Sequence, residues 1–184
     1  MPSPPNRHAA VGALLAAALL GGCSPVLDWR EVRLADSRAQ VLMPCKPSAQ
    51  ERNVSLAGQP VRLSLHACAA GGQTWGIAFA DVAEPGRVGP AMAELGASAA
   101  GNIGAGRPGR AAAARPIALQ VPGATPHAAS QRWRLQGTRP DGTPLHMQLA
   151  VFAHGTRVFQ ATALGEPLAD DAADTFFGGL RIRP

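Results

Sequence analysis

Hydrophobic and polar positions change rhythm several times along the chain. Residues 9–20 form an almost unbroken apolar run of Ala, Val, Gly and Leu, after a polar, Pro-rich start with Arg7 as its fixed cation. Residues 29–34 alternate roughly at period two and predict a short strand; a second apolar patch at 40–43 is stopped by Pro44. Three strand-like runs follow at 51–56, 61–69 and 74–82, separated by turn-forming residues at 57–60 and 70–73. In the middle run Val61, Leu63 and Leu65 alternate with Arg62, Ser64 and His66, and in the third Trp75, Ile77 and Phe79 share one face. This is the pattern of an antiparallel meander with one buried face.

The period then lengthens. Val88, Met92, Leu95, Ala99 and Ile103 recur every three or four residues, which predicts a helix over 88–103. Pro90 fits its first turn, while Gly96 and Gly101 weaken it. Residues 104–115 are dominated by Gly, Ala, Pro and Arg and read as a flexible surface loop. A second meander begins at 131–138, where Trp133 and Leu135 take one side and Arg132, Arg134 and Gln136 the other. Arg139-Pro140-Asp141-Gly142 is a turn signal; 144–153 places Leu145, Met147, Leu149 and Val151 inward, and 157–164 completes the meander. A second helix is expected over 167–177, with Asp170, Asp171 and Asp174 near its N-terminal half, then a closing strand at 180–183. The expected fold class is α+β: an antiparallel sheet built from two meanders, with two helices packed on one face and a polar face partly open to water.

The N-terminal run is too short to span a bilayer permanently, which takes about 20 apolar residues, and has the layout of a secretory signal. It leads into Leu20-Gly21-Gly22-Cys23, which resembles the lipobox of bacterial lipoprotein precursors. The resemblance implies a signal peptide over 1–22, a Cys23 carrying fatty chains such as palmitate on thiol and amine, a tether over 23–28, and a single periplasm-facing domain over 29–184. Ser24, rather than Asp, after the cysteine resembles lipoproteins sent on to the outer membrane. An ordinary cleaved secretory signal is the alternative. The order of elements in 29–184 resembles the PsbP-like α/β sandwich. Met43-Pro44-Cys45-Lys46-Pro47, His66-Ala67-Cys68 and Pro140-Asp141-Gly142 look like segments of uncharacterised proteobacterial lipoproteins, a kinship that implies no known activity.

Removing the leader leaves 162 of 184 residues, enough for one domain with a real core. Lys+Arg number 17 against 12 Asp+Glu, so without Arg7 the excess falls from five to four, and Lys46 is the one lysine. Such a balance is compatible with an anionic membrane surface. It lacks the basic, aromatic-studded stripe of a nucleic-acid binder, so no nucleic acid is expected. With Cys23 lipidated, Cys45 and Cys68 are an even pair in an oxidising compartment and read as a disulfide.

Catalytic signatures are missing: there is no Gly-x-Ser-x-Gly, no His-Glu-x-x-His and no phosphate loop. No enzyme activity, cofactor or metal is expected. His146 and His154 are eight residues apart in one strand, about 26 Å, so they do not share an ion. The three aspartates lack the Gly-centred geometry of a calcium loop. Trp29, Trp75 and Trp133 fall at inward positions. One feature is less bland. Arg62, Ser64, His66, Arg132, Arg134, Gln136, His146 and Gln148 all take the outward register, so joined meanders would show a polar, basic face. Arg62, His66, Arg132, Arg134 and His146 are the candidate partner-binding residues.

The leading functional expectation is a lipid-anchored cell-envelope accessory protein. It would act as a non-catalytic interaction or assembly module, bound to the membrane through its lipid and to an anionic envelope component or another envelope protein through this face. The alternative is a small-molecule or lipid-binding domain with a pocket between sheet and helices. A large apolar cavity lined by Trp75 or Trp133 would favour the second; a filled core under a flat basic sheet, the first.

Overall fold

A computed structural model describes residues 26–104 and 115–184. The expected leader, the lipidation site Cys23, residues 24 and 25 of the tether and most of the expected Gly/Ala/Arg loop lie outside the described residues.

The chain forms β1 (Arg30–Arg33), β2 (Ala39–Met43), β3 (Ser48–Leu56), β4 (Gln59–Ala70), β5 (Gln73–Asp81), helix α1 (Pro85–Asn102), β6 (Arg115–Ile117), β7 (Gln131–Thr138), β8 (Pro144–His154), β9 (Arg157–Gly165), helix α2 (Asp170–Gly178) and β10 (Arg181–Ile182). The fold is α+β with a large antiparallel sheet. Seven strands run in the order β3-β4-β5-β9-β8-β7-β6, so the two meanders join where β5 pairs with β9. A separate three-stranded sheet, β1-β2-β10, unites the start and end of the described chain.

The helices do not share a face, which corrects the expected arrangement. Leu145, Met147, Leu149 and Val151 of β8 pack with Val88, Met92, Leu95 and Ala99 of α1. Ala150 and Phe152, in the opposite phase of the same strand, pack with Phe176 and Phe177 of α2 and with Val41 and Met43 of the small sheet. The large sheet is the middle of three layers, with α1 on one side and the small sheet plus α2 on the other. Period-two alternation identified one apolar phase, but β8 is apolar in both phases from Leu149 to Ala153, the signature of a strand buried on both faces.

The layer beneath the small sheet is aromatic. Trp75 lies 5.4 Å from Phe176 and 6.0 Å from Trp29 between ring centroids, and Phe152 stacks on Phe159 at 4.8 Å. Burying rings this size contributes strongly to the core, and offset or tilted contacts add to the area term. The Cys45–Cys68 disulfide, with Cα atoms 6.0 Å apart, joins the exit of β2 to β4 and so ties the small sheet to the large one. Cys68, in the same phase of β4 as Arg62, Ser64 and His66, lies opposite Trp75 and packs against the aromatic core. Two glycines let layers meet closely. A Cβ on Gly179 would collide with Leu42 of β2, and one on Gly137 of β7 with the carbonyl of Ile103, just beyond α1.

Candidate functional site

Helix α1 buries Val88, Ala91, Met92, Leu95 and Ala99. Toward β7 it presents Ala93, Gly96, Ala97 and Ala100, residues with little or no side chain to fill the space below. The outcome is a groove of about 360 Å³ between α1 and the strands β7 and β8. Its sheet wall is Trp133, Leu135, Leu149 and Val151; Ala129 and Gln131 extend it toward the start of β7. Gln131 is its one polar lining residue.

The helix packs over β8 and β9, and two contacts near its ends reach toward β7 and the segment before it. At one end the amide of Thr138 donates to the carbonyl of Ile103 at 2.9 Å, over Gly137. At the other, the His127 ring sits against Gly89, with its Nδ1 accepting from the amide of Ala129 at 3.0 Å. Between them, a Cβ on Gly96 would lie 3.9 Å from the Trp133 ring, ordinary van der Waals contact. Trp133 is half-buried, so part of its ring lines the space. A concave apolar site of this volume with few polar groups suits a small apolar ligand.

The expected basic face has a different fate. Arg62, His66, Arg132, Arg134 and His146 do lie on one side of one sheet, as their register implied. That side is the one covered by the small sheet and α2, so no continuous basic face is exposed. Arg132 is only 8% exposed at its side chain. Its guanidinium donates to Gln148 Oε1 and to Asp174 Oδ1 of α2, the latter at 2.7 Å, and lies 4.2 Å from the Phe177 ring centroid. Arg134 pairs with Asp170 of α2 at 2.8 Å, and the same carboxylate accepts from Gln148 Nε2 at 3.1 Å. Asp170 and Asp174 are spaced i, i+4 and face β7 together. The two arginines thus hold α2 to the sheet instead of awaiting an outside partner.

Arg62 pairs with Glu51 on the exposed edge. His66 is half-buried and its ring runs parallel to Phe79 at 6.4 Å. Partial burial disfavours its charged form and lowers its pKa below 6.5, against an upward pull from the Glu51 carboxylate. His146 is half-buried on β8, three strands from His66 on β4 and four residues out of register with it, roughly 19 Å away. Among the described residues there is no group of three or more His, Cys, Asp or Glu able to hold a metal ion, and no helix long and apolar enough to cross a membrane.

The sequence names a pocket between sheet and helices, lined by Trp75 or Trp133, as its alternative expectation, but not the helix residues that open one. Its patterning puts Trp133, Leu135, Leu149 and Val151 on one face and marks Gly96 only as a weak point in the helix. The available signal was the small-residue stripe Ala93, Gly96, Ala97 and Ala100 opposite a tryptophan.

No protein-family model and no curated protein matches the chain. A solved crystal structure of a protein from Bacteroides thetaiotaomicron VPI-5482 is similar at a TM-score of 0.46 and 9% identity, over 84% of this chain and 48% of that one. The chain therefore spans about half the length of that protein.

Proposed function

We propose that the protein is a lipid-anchored, non-catalytic binding domain of the cell envelope that holds a small apolar ligand, such as an acyl chain, in the groove between α1 and β7–β8. The observation that carries this reading is the groove: about 360 Å³, apolar but for Gln131, with a half-buried tryptophan on its wall. The interaction-module reading loses its main support, because Arg132 and Arg134 are occupied by Asp174 and Asp170. Attachment to the periplasmic side of a membrane, the outer one by the Ser24 resemblance, rests on the Leu20-Gly21-Gly22-Cys23 pattern. The Cys45–Cys68 disulfide is in keeping with an oxidising compartment.

The test is titration with N-phenylnaphthylamine, a dye that brightens in apolar sites, followed by displacement with a saturated fatty acid. The dye should bind and be displaced, and Gly96→Leu, which fills the groove, should weaken binding about tenfold or more, a loss of about 1.4 kcal/mol. Binding that Gly96→Leu leaves unchanged, or no binding at all, would reject the groove as the site. Anchoring is tested separately: Cys23→Ala should accumulate as unprocessed precursor, and a variant that still matures normally would reject lipidation.

A further inference from the structure

The small sheet leaves one corner of its side of the large sheet uncovered. There, over β3, β4, β5 and β9, lies a second concavity of about 580 Å³ whose chemistry is opposite to that of the groove. Two ion pairs build its walls: Arg62 with Glu51 across β3 and β4, and Arg157 with Asp81 at 3.7 Å across β5 and β9. Asp81 is further held by the Thr156 hydroxyl at 2.7 Å and the Ala83 amide at 2.9 Å. Burial pulls the Asp81 carboxyl upward, but the Thr156 and Ala83 hydrogen bonds and Arg157 outweigh it and keep its pKa below the ordinary value. The floor is the His66 ring, stacked on the buried ring of Phe79.

The rim is the β1–β2 hairpin, and it is held in place. Asp36 and Arg38 both take positive φ, 60° and 57°, a conformation few residues other than glycine adopt. Between them Ser37 is fully buried: its hydroxyl donates to the Leu34 carbonyl at 3.0 Å and accepts from the Ala39 amide at 3.1 Å. The hairpin so fixed places Asp36 on the edge of the concavity.

We infer that this concavity binds a neutral, hydroxyl-rich ligand, a saccharide unit. Each of its guanidiniums already faces a carboxylate, and three carboxylates (Asp36, Glu51, Asp81) stand against two guanidiniums, so an anion meets no net attraction. A strongly charged ligand would have to break an ion pair to use either side. A hydroxyl group both donates and accepts. It therefore matches walls on which donors (Arg62, Arg157) alternate with acceptors that have lone pairs to spare. The half-buried His66 ring, backed by the buried Phe79 ring, supplies a flat surface for the C–H face of a sugar.

The experiment is amide NMR of the full chain titrated in parallel with cellobiose, glucosamine and glucuronate. Cellobiose should shift the amides of Asp36, Glu51, Arg62, His66 and Asp81 and leave Trp133 and Gly96 unmoved, and Arg62→Gln should weaken it about tenfold. Glu51→Gln, which removes the other half of that ion pair, should do the same. Response to glucosamine or glucuronate alone would make the site one for a charged ligand and overturn the inference. No response to cellobiose, or shifts confined to the α1 groove, would overturn it as well.

Discussion

The two faces of the large sheet are packed by different rules. Under the small sheet and α2, Trp75, Phe152, Phe159, Phe176 and Phe177 are each at most 2% exposed and fill the layer with rings. Under α1 the same sheet meets Ala93, Gly96, Ala97 and Ala100, and a groove remains. A face closed by large side chains serves stability. One closed by backbone and methyl groups keeps its two walls in place while leaving space between them. The difference lies in the covering layer, since the sheet supplies Phe152 to one side and Leu149 and Val151 to the other with equal economy.

Five substitutions and a pH series would break or sharpen that contrast. Phe176→Ala, on the filled face, should destabilise by about 3–5 kcal/mol, the range for emptying a buried aromatic site. Trp133→Ala, in the groove, should cost clearly less in the same urea denaturation series; equal losses would mean the groove side is as tightly packed as the other. Replacing Cys45 and Cys68 together by Ala should cost about 3 kcal/mol, the chain-entropy figure for a loop of about this size, and should loosen the filled face alone. Arg132→Gln should cost about 1–3 kcal/mol, because Gln148 and Asp174 lose a buried, charged donor. A neutral outcome would return Arg132 to the status of a surface charge.

Gly96→Ala should move the other way. The added methyl meets Trp133 at ordinary contact distance, and alanine is favoured over glycine in a helix interior by about 0.8–1 kcal/mol. A thermal melt that shifts downward instead would show that the groove is narrower than its geometry implies. The smallest effect expected is that of His66. Burial lowers its pKa in the fold, so the unfolded chain binds the more protons between that pKa and 6.5. Stability should therefore decline as pH falls below about 6.5 and level off below the folded pKa, and His66→Gln should flatten that part of the profile.

The meander strands were legible in the sequence because each announces itself locally; β6 (Arg115–Ile117), beside the expected loop, was not. The alternation of Val61, Leu63 and Leu65 and the Pro140-Asp141-Gly142 turn need no knowledge of the rest of the chain. The third layer was not legible, because it depends on Gln40 finding Arg181 at the far end of the sequence. Nor can alternation say whether a polar phase faces water: Arg132 and Gln136 share one phase of β7, yet Arg132 is buried against α2 and Gln136 is exposed. The helix wall of the groove was hidden for a further reason. Hydrophobic patterning reports where side chains are, and a binding space is made where Ala93, Gly96 and Ala97 supply none.

The small sheet carries a consequence for the order in which the molecule becomes whole. Its middle strand, β2, precedes the large sheet, while β10 comes last and is secured by the Ile182 amide donating to the Pro122 carbonyl at 2.8 Å. A chain that emerges N-terminus first, across a membrane as from a ribosome, can assemble both meanders before this layer has its final strand. Until residues 170–182 arrive, Trp75 and Phe152 lack the Phe176 and Phe177 that cover them, and an aromatic surface stands open. Residues 170–182 thus act as a latch in time as well as in space, and the interval before they close is when a chaperone would have most to hold.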